Sequence, residues 1–106
     1  MMTFVELPAF SRARQNYLSD AEFAELQTYL LDAPDAGDVI PGSGGCRKLR
    51  WASVGGGKRG GYRVIYFLRL NNGEVILVTL YAKSVQENIN PELLKRIKAA
   101  YESQSE

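Results

Sequence analysis

At 106 residues and 11.8 kDa, with 45% hydrophobic and 24% charged residues, the chain carries enough apolar material for one core. That excludes a two-domain enzyme and wholesale disorder, and a single domain spanning residues 1–106 is expected. The net charge of +1 conceals a partition: residues 1–40 hold two basic and seven acidic side chains, residues 41–73 seven basic and none acidic, residues 74–106 four basic and five acidic. Such a run of cations without a carboxylate points to a polyanionic, phosphate-rich partner.

In chain order, Thr3 to Leu7 reads as a short strand ended by Pro8, and a first helix follows from Pro8 to Leu18. Ser19 opens a second helix, with Glu22 completing a capping box and Phe23, Leu26, Leu30 and Leu31 on one face. Asp32 to Gly45, with two prolines and four glycines, reads as loop. From Cys46 to Ala52 the period changes to two, setting Arg47, Leu49 and Trp51 on one side and Lys48 and Arg50 on the other. A glycine-rich turn leads into a hairpin, Tyr62 to Leu70 and Glu74 to Tyr81, joined by Asn71-Asn72-Gly73, whose residues tolerate positive φ. Asn90 and Pro91 supply the N-cap and first-turn proline of a last helix carrying Leu93, Leu94, Ile97 and Tyr101, and Ser103 to Glu106 should fray. The order βαα, three strands, then α implies an α+β fold: a small, mostly antiparallel sheet packed against two N-terminal helices, with a C-terminal helix.

The chemistry is bounded by what is missing. No histidine occurs, so a Ser-His-Asp triad, a Cys-His pair and a two-histidine ribonuclease scheme are excluded. One cysteine, Cys46, cannot form an internal disulfide and belongs with a reduced, cytoplasmic setting. The apolar runs fall short of the roughly 18 residues of a membrane span, and the N-terminus lacks a signal pattern, so neither membrane association nor secretion is expected. No carboxylate stands between Pro41 and Gly73, which argues against a two-metal nuclease in the basic region, and no metal or organic cofactor is expected.

Gly55-Gly56-Gly57-Lys58-Arg59-Gly60-Gly61 invites comparison with a phosphate-binding loop but has Arg59 where Ser or Thr would bind magnesium, which disfavours a nucleotide triphosphatase. It is either a solvated turn or part of a cationic surface, because antiparallel pairing would gather Arg47, Lys48, Arg50, Lys58, Arg59 and Arg63 from distant sequence. Arg63 either pairs with a carboxylate of the helical layer or grips phosphate with its planar fork. Trp51 continues the Leu49 face and reads as core. Tyr66 can be packing, while Tyr81 at a strand end beside Lys83 is better placed to reach substrate. What remains for catalysis is Lys, Arg and Tyr, with cations stabilising a pentavalent phosphate and a lysine among like charges serving as base.

Three ordered blocks carry a resemblance over nearly the whole chain: Gly37-Asp38-Val39-Ile40 with Gly44-Gly45-Cys46-Arg47-Lys48-Leu49-Arg50-Trp51; Gly57-Lys58-Arg59-Gly60-Gly61-Tyr62-Arg63-Val64-Ile65-Tyr66; and Tyr81-Ala82-Lys83-Ser84 with Gln86-Glu87-Asn88-Ile89. In them the sequence resembles the RelE/ParE superfamily of toxins of type II toxin-antitoxin systems, and within it the HigB-type, RelE-like branch. The resemblance implies metal-independent, ribosome-dependent cleavage of messenger RNA in the A site, in which the ribose 2′-hydroxyl attacks its own phosphate and translation stops. It implies as partners the ribosome, its messenger and a HigA-type helix-turn-helix antitoxin, with operator DNA contacted only through the antitoxin. Carried over residue by residue, it gives Lys48 or Lys58 as assisting deprotonation, Arg50 and Arg63 as holding the phosphate, and Lys83 with Tyr81 on the leaving side, within an RNA-binding set of Arg47, Lys48, Arg50, Lys58, Arg59 and Arg63. Some members place a tyrosine just before the last helix, and Ser84 to Asn90 contains none. Two other functions share these features: a ParE-like inhibitor of DNA gyrase, and an RNA- or ribosome-binding module without chemistry.

Overall fold

A computed structural model describes residues 2–52, 61–85 and 88–104. Its elements are β1 (Thr3–Glu6), α1 (Pro8–Tyr17), α2 (Asp20–Asp32), β2 (Asp38–Val39), β3 (Arg47–Trp51), β4 (Tyr62–Arg69), β5 (Glu74–Ala82) and α3 (Pro91–Gln104). The five strands form one sheet in the order β1-β5-β4-β3-β2. Only β1 runs parallel to its neighbour, β5, so the sheet is mixed and mostly antiparallel. The α+β architecture is the one the sequence implies.

Local chemistry sets the helix ends. Pro8 stands in the first turn of α1, where its missing N–H is not needed. The capping box of α2 is present: the Glu22 backbone N–H donates to Ser19 Oγ at 3.1 Å and the Ser19 N–H to Glu22 Oε1 at 2.8 Å. At α3 the Glu92 N–H donates to Asn90 Oδ1 at 2.9 Å.

The sheet is covered on both faces. Phe10, Leu18, Phe23, Leu26 and Leu30 from α1, α2 and their junction pack on Leu49, Val64, Tyr66, Leu77 and Leu80. On the other face Leu94 of α3, with Ile97 and Tyr101, packs on Cys46, Ile65, Phe67, Ile76 and Val78. This explains the unbroken run Val64 to Phe67, fully buried, since a central strand covered twice has no polar side.

Four local expectations are corrected. Asp32 to Gly45 is not all loop, because Asp38–Val39 pair with Lys48 and Arg47 as β2. Of Asn71-Asn72-Gly73, only Gly73 takes positive φ (64°), closing a 3-10 turn over Leu70–Asn72. Leu31 is 47% exposed, one residue past Leu30 and hence about 100° around the helix from the buried stripe. The C-terminal helix continues to Gln104 rather than fraying from Ser103.

One irregularity decides which side chains meet. Ile65 stands opposite Thr79 and Tyr66 opposite Leu77, leaving Val78 as an extra residue in β5. A strand alternates sides residue by residue, so without this bulge Tyr81 would face α1 and α2. With it, Tyr81 stands directly opposite Arg63 on the α3 side.

Candidate active site

Lys48 and Arg50 alternate with Leu49 along β3 and fall on the α3 side, past the area that α3 covers. Arg50 pairs in register with Arg63 of β4, and Arg63 in turn with Tyr81. The ladder extends one step further, where the Lys83 N–H donates to the Gly61 carbonyl at 2.9 Å. As a result Lys48, Arg50, Arg63 and Lys83 line a single cavity of about 420 Å³. Asp38, Val39, Ile40 and Pro41, from β2 beside β3 and the residues after it, also line the cavity, with Asn88 from the segment before α3.

Two arginines directly opposite each other repel, which costs a sheet up to about 1 kcal/mol. Arg63 is moreover only 7% exposed, its Nη1 donating to the Tyr62 carbonyl at 3.1 Å. Four cations against one carboxylate make a concave site whose field concentrates anions. Planar guanidiniums suit the non-bridging oxygens of a phosphodiester.

Tyr81 is 6% exposed, and its hydroxyl has no hydrogen-bond partner among the described residues. Burial pushes the Tyr81 phenol above its usual range, with the Arg63 guanidinium pulling partly back. It is therefore a neutral donor near neutral pH. Tyr66, by contrast, lies on the other face: its hydroxyl accepts from the Gly37 N–H at 2.9 Å and donates to the Pro34 carbonyl at 2.7 Å. That removes Tyr66 from the cavity and makes it the peg on which the Pro34–Gly37 segment hangs.

The same peg positions the β2 side of the cavity. A Cβ on Gly37 would lie 2.9 Å from Tyr66 Cε1 and 3.1 Å from the Lys48 backbone, so only glycine lets the chain cross there into β2. Beyond β2, the Ile40 N–H donates to the Cys46 carbonyl at 2.8 Å, while buried Ser43 Oγ donates to the Ile40 carbonyl at 2.6 Å and accepts from the Cys46 N–H at 3.0 Å. Gly42 and Gly44, both at φ 77°, carry the turn.

Of the residues expected from the sequence, Lys48, Arg50, Arg63 and Lys83 come together; Tyr81, opposite Arg63 and 6% exposed, is not among the residues that line the cavity, contrary to the expectation that its strand-end position lets it reach substrate. Arg47 does not join them. Its Nη1 donates to the carbonyls of Gly37 at 2.8 Å and Asp35 at 3.1 Å, tying down the same segment that Tyr66 holds. The alternation of β3 already sets Arg47 on the Leu49 face, and counting charges alone obscures it. Lys58 and Arg59 lie outside the described residues. Asp38 and Asn88 were not singled out individually, although both fall within the blocks that carry the resemblance.

The model of the family described as the RelE toxin of the RelE/RelB toxin-antitoxin system matches residues 8–105, and the chain belongs to that family. Among solved structures it is similar to E. coli toxin RelE, in a variant with two arginines changed to alanine, in the free state: 16% identity, a TM-score of 0.59, and coverage of 92% of this chain and 96% of that one. At that identity the likeness is one of fold.

Proposed function

We propose that the protein is a metal-independent endoribonuclease of the HigB-type branch, cutting messenger RNA in the ribosomal A site and so arresting translation. The observation that carries this reading is the pair Arg50 and Arg63, held opposite one another in a cavity that also takes Lys48 and Lys83. In the reaction the 2′-hydroxyl oxygen attacks the adjacent phosphorus, and the bond from phosphorus to the 5′-oxygen of the next nucleotide breaks. The products are a 2′,3′-cyclic phosphate and a free 5′-hydroxyl. Lys48, or Lys58 from the segment outside the described residues, takes the 2′ proton; Arg50 and Arg63 stabilise the extra charge on the pentavalent phosphorus. Lys83 serves the departing 5′-oxygen, which must gain a proton, while Tyr81, buried and outside the cavity lining, acts only through Arg63 opposite it.

A toxin of this kind is held in check by an antitoxin, here of the HigA-type helix-turn-helix class, which would bring the pair to operator DNA. Binding should follow salt as for a single strand, with a log–log slope of roughly −0.7 per phosphate neutralised. The density of cations in the cavity favours this reading over gyrase inhibition.

Primer extension on a defined messenger tests it, comparing naked RNA with EDTA against programmed ribosomes without it. Cuts only on ribosomes, within A-site codons, are expected. Folded protein that cuts neither substrate would contradict the nuclease reading and point to ParE-like inhibition or to binding without chemistry.

A further inference from the structure

A second groove lies on the face of the sheet opposite the cationic cavity. Leu26 and Leu30 of α2 point into the core, while Ala21, Ala24, Thr28 and Tyr29 of the same helix are exposed. With Trp51 of β3 these four line an open, mainly apolar groove of about 530 Å³. The small side chains at 21, 24 and 28 follow one another at helical spacing and make its floor. Two aromatic rings wall it: Tyr29, 44% exposed, and Trp51, their centroids 5.5 Å apart and their planes at 59°.

The charge on this groove is the reverse of the cavity's. Glu25 and Asp32, both exposed, also line it, and neither has an ion pair among the described residues. Arg14, at the end of the preceding helix, is already engaged by Glu6 and Asp20 and lies over the Phe23 ring. Of the seven acidic side chains in residues 1–40, only Asp38 lines the cavity among the described residues. The field at the groove therefore draws cations, and the field at the cavity draws anions.

We propose that this groove docks an arginine-bearing peptide segment of a partner protein, with a guanidinium against Trp51 and Tyr29 and bonded to Glu25 or Asp32. Arginine matches each feature. Its flat guanidinium stacks on aromatic rings, its fork gives a carboxylate two parallel hydrogen bonds, and its apolar stem covers a floor of small side chains. A peptide matches the length: Glu25 and Asp32 are roughly 10 Å apart along the helix, which an extended chain covers in about three residues. Cations spaced along one segment can thus reach both carboxylates. Because the sheet stands between groove and cavity, a partner held here leaves the cavity open.

Trp51 is the only tryptophan of the chain, so its fluorescence reports on the groove directly. Titrating the protein with hexa-arginine should change Trp51 emission saturably, hexa-glutamate should not, and spermine, which has charge without the planar fork, should bind at least about fivefold more weakly. Glu25→Gln combined with Asp32→Asn should weaken hexa-arginine about tenfold, since two exposed charge pairs are lost. Asp20→Asn removes a charge from the same helix outside the groove and should stay within about twofold of wild type. Emission before peptide is added, equal in all variants, shows that the groove is intact. The proposal is overturned by no saturable change with hexa-arginine, by hexa-glutamate or spermine acting as strongly, by unchanged affinity in the double variant, or by an equal loss in Asp20→Asn. None of these outcomes bears on the nuclease reading, which primer extension tests separately.

Discussion

The two faces of the same sheet use the same residue types in opposite ways. Under α1 and α2, the Tyr66 hydroxyl makes two hydrogen bonds and the Arg47 guanidinium reaches two carbonyls, all within the protein. On the α3 side, the Tyr81 hydroxyl is buried without a partner among the described residues, and Arg50 faces Arg63 across the strands. A buried polar group left unmatched costs free energy that a matched one does not. Trp51 Nε1, packed under α1 and α2, is likewise buried without a partner among the described residues, so the contrast lies between the Tyr66 and Tyr81 hydroxyls rather than between the faces as wholes.

The largest effect should come from breaking the support of the cavity wall. Gly37→Ala drives a methyl into Tyr66 and the Lys48 backbone, and should cost about 1–3 kcal/mol in urea unfolding and slow cleavage by displacing β2. An alanine variant as stable as wild type would show that the close approach does not matter. Tyr66→Phe is next: it strands the buried Gly37 N–H and should lose about 1–2 kcal/mol.

Alkaline pH should tell on both faces. Burial raises the Tyr66 and Tyr81 phenols above their ordinary value of 10.0 and the Cys46 thiol above 9.0. The native state therefore keeps protons that the unfolded chain releases. This contribution to stability is complete below those ordinary values and is lost as pH rises through the folded ones. Urea midpoints should fall as pH rises above the ordinary values of 9.0 and 10.0, and a flat profile would contradict the shifts. The smallest effect is the sharpest contrast: Tyr81→Phe removes a hydroxyl without a partner among the described residues and should leave stability within about 0.5 kcal/mol of wild type. A loss equal to that of Tyr66→Phe would erase the distinction between the two hydroxyls.

Much of this was legible in the sequence because it is local. The alternation of Lys48, Leu49 and Arg50, the Ser19–Glu22 box and the Asn90 cap each depend on neighbours within a few residues. The rest depends on distant ones. β2 has two residues and no periodicity, and its place is set by Tyr66, 29 residues beyond Gly37. That β1 lies parallel to β5 follows from topology rather than pattern. Tyr81 faces Arg63 only because of the extra residue at Val78, which no alternation rule announces. Asp38 counts toward the acidic first third of the chain yet belongs to the wall of a cationic cavity.

The most direct test sets the two arginines against each other. Single-turnover cleavage on programmed ribosomes should fall at least about tenfold for Arg63→Ala, since losing one transition-state donor usually costs more than that. Arg47→Ala, folded under the same conditions, should lose less than Arg63→Ala, because Arg47 acts on the cavity only through the position of the Asp35–Gly37 segment. Equal losses, or a larger loss at Arg47, would contradict the assignment of the α3 side as the face that cuts.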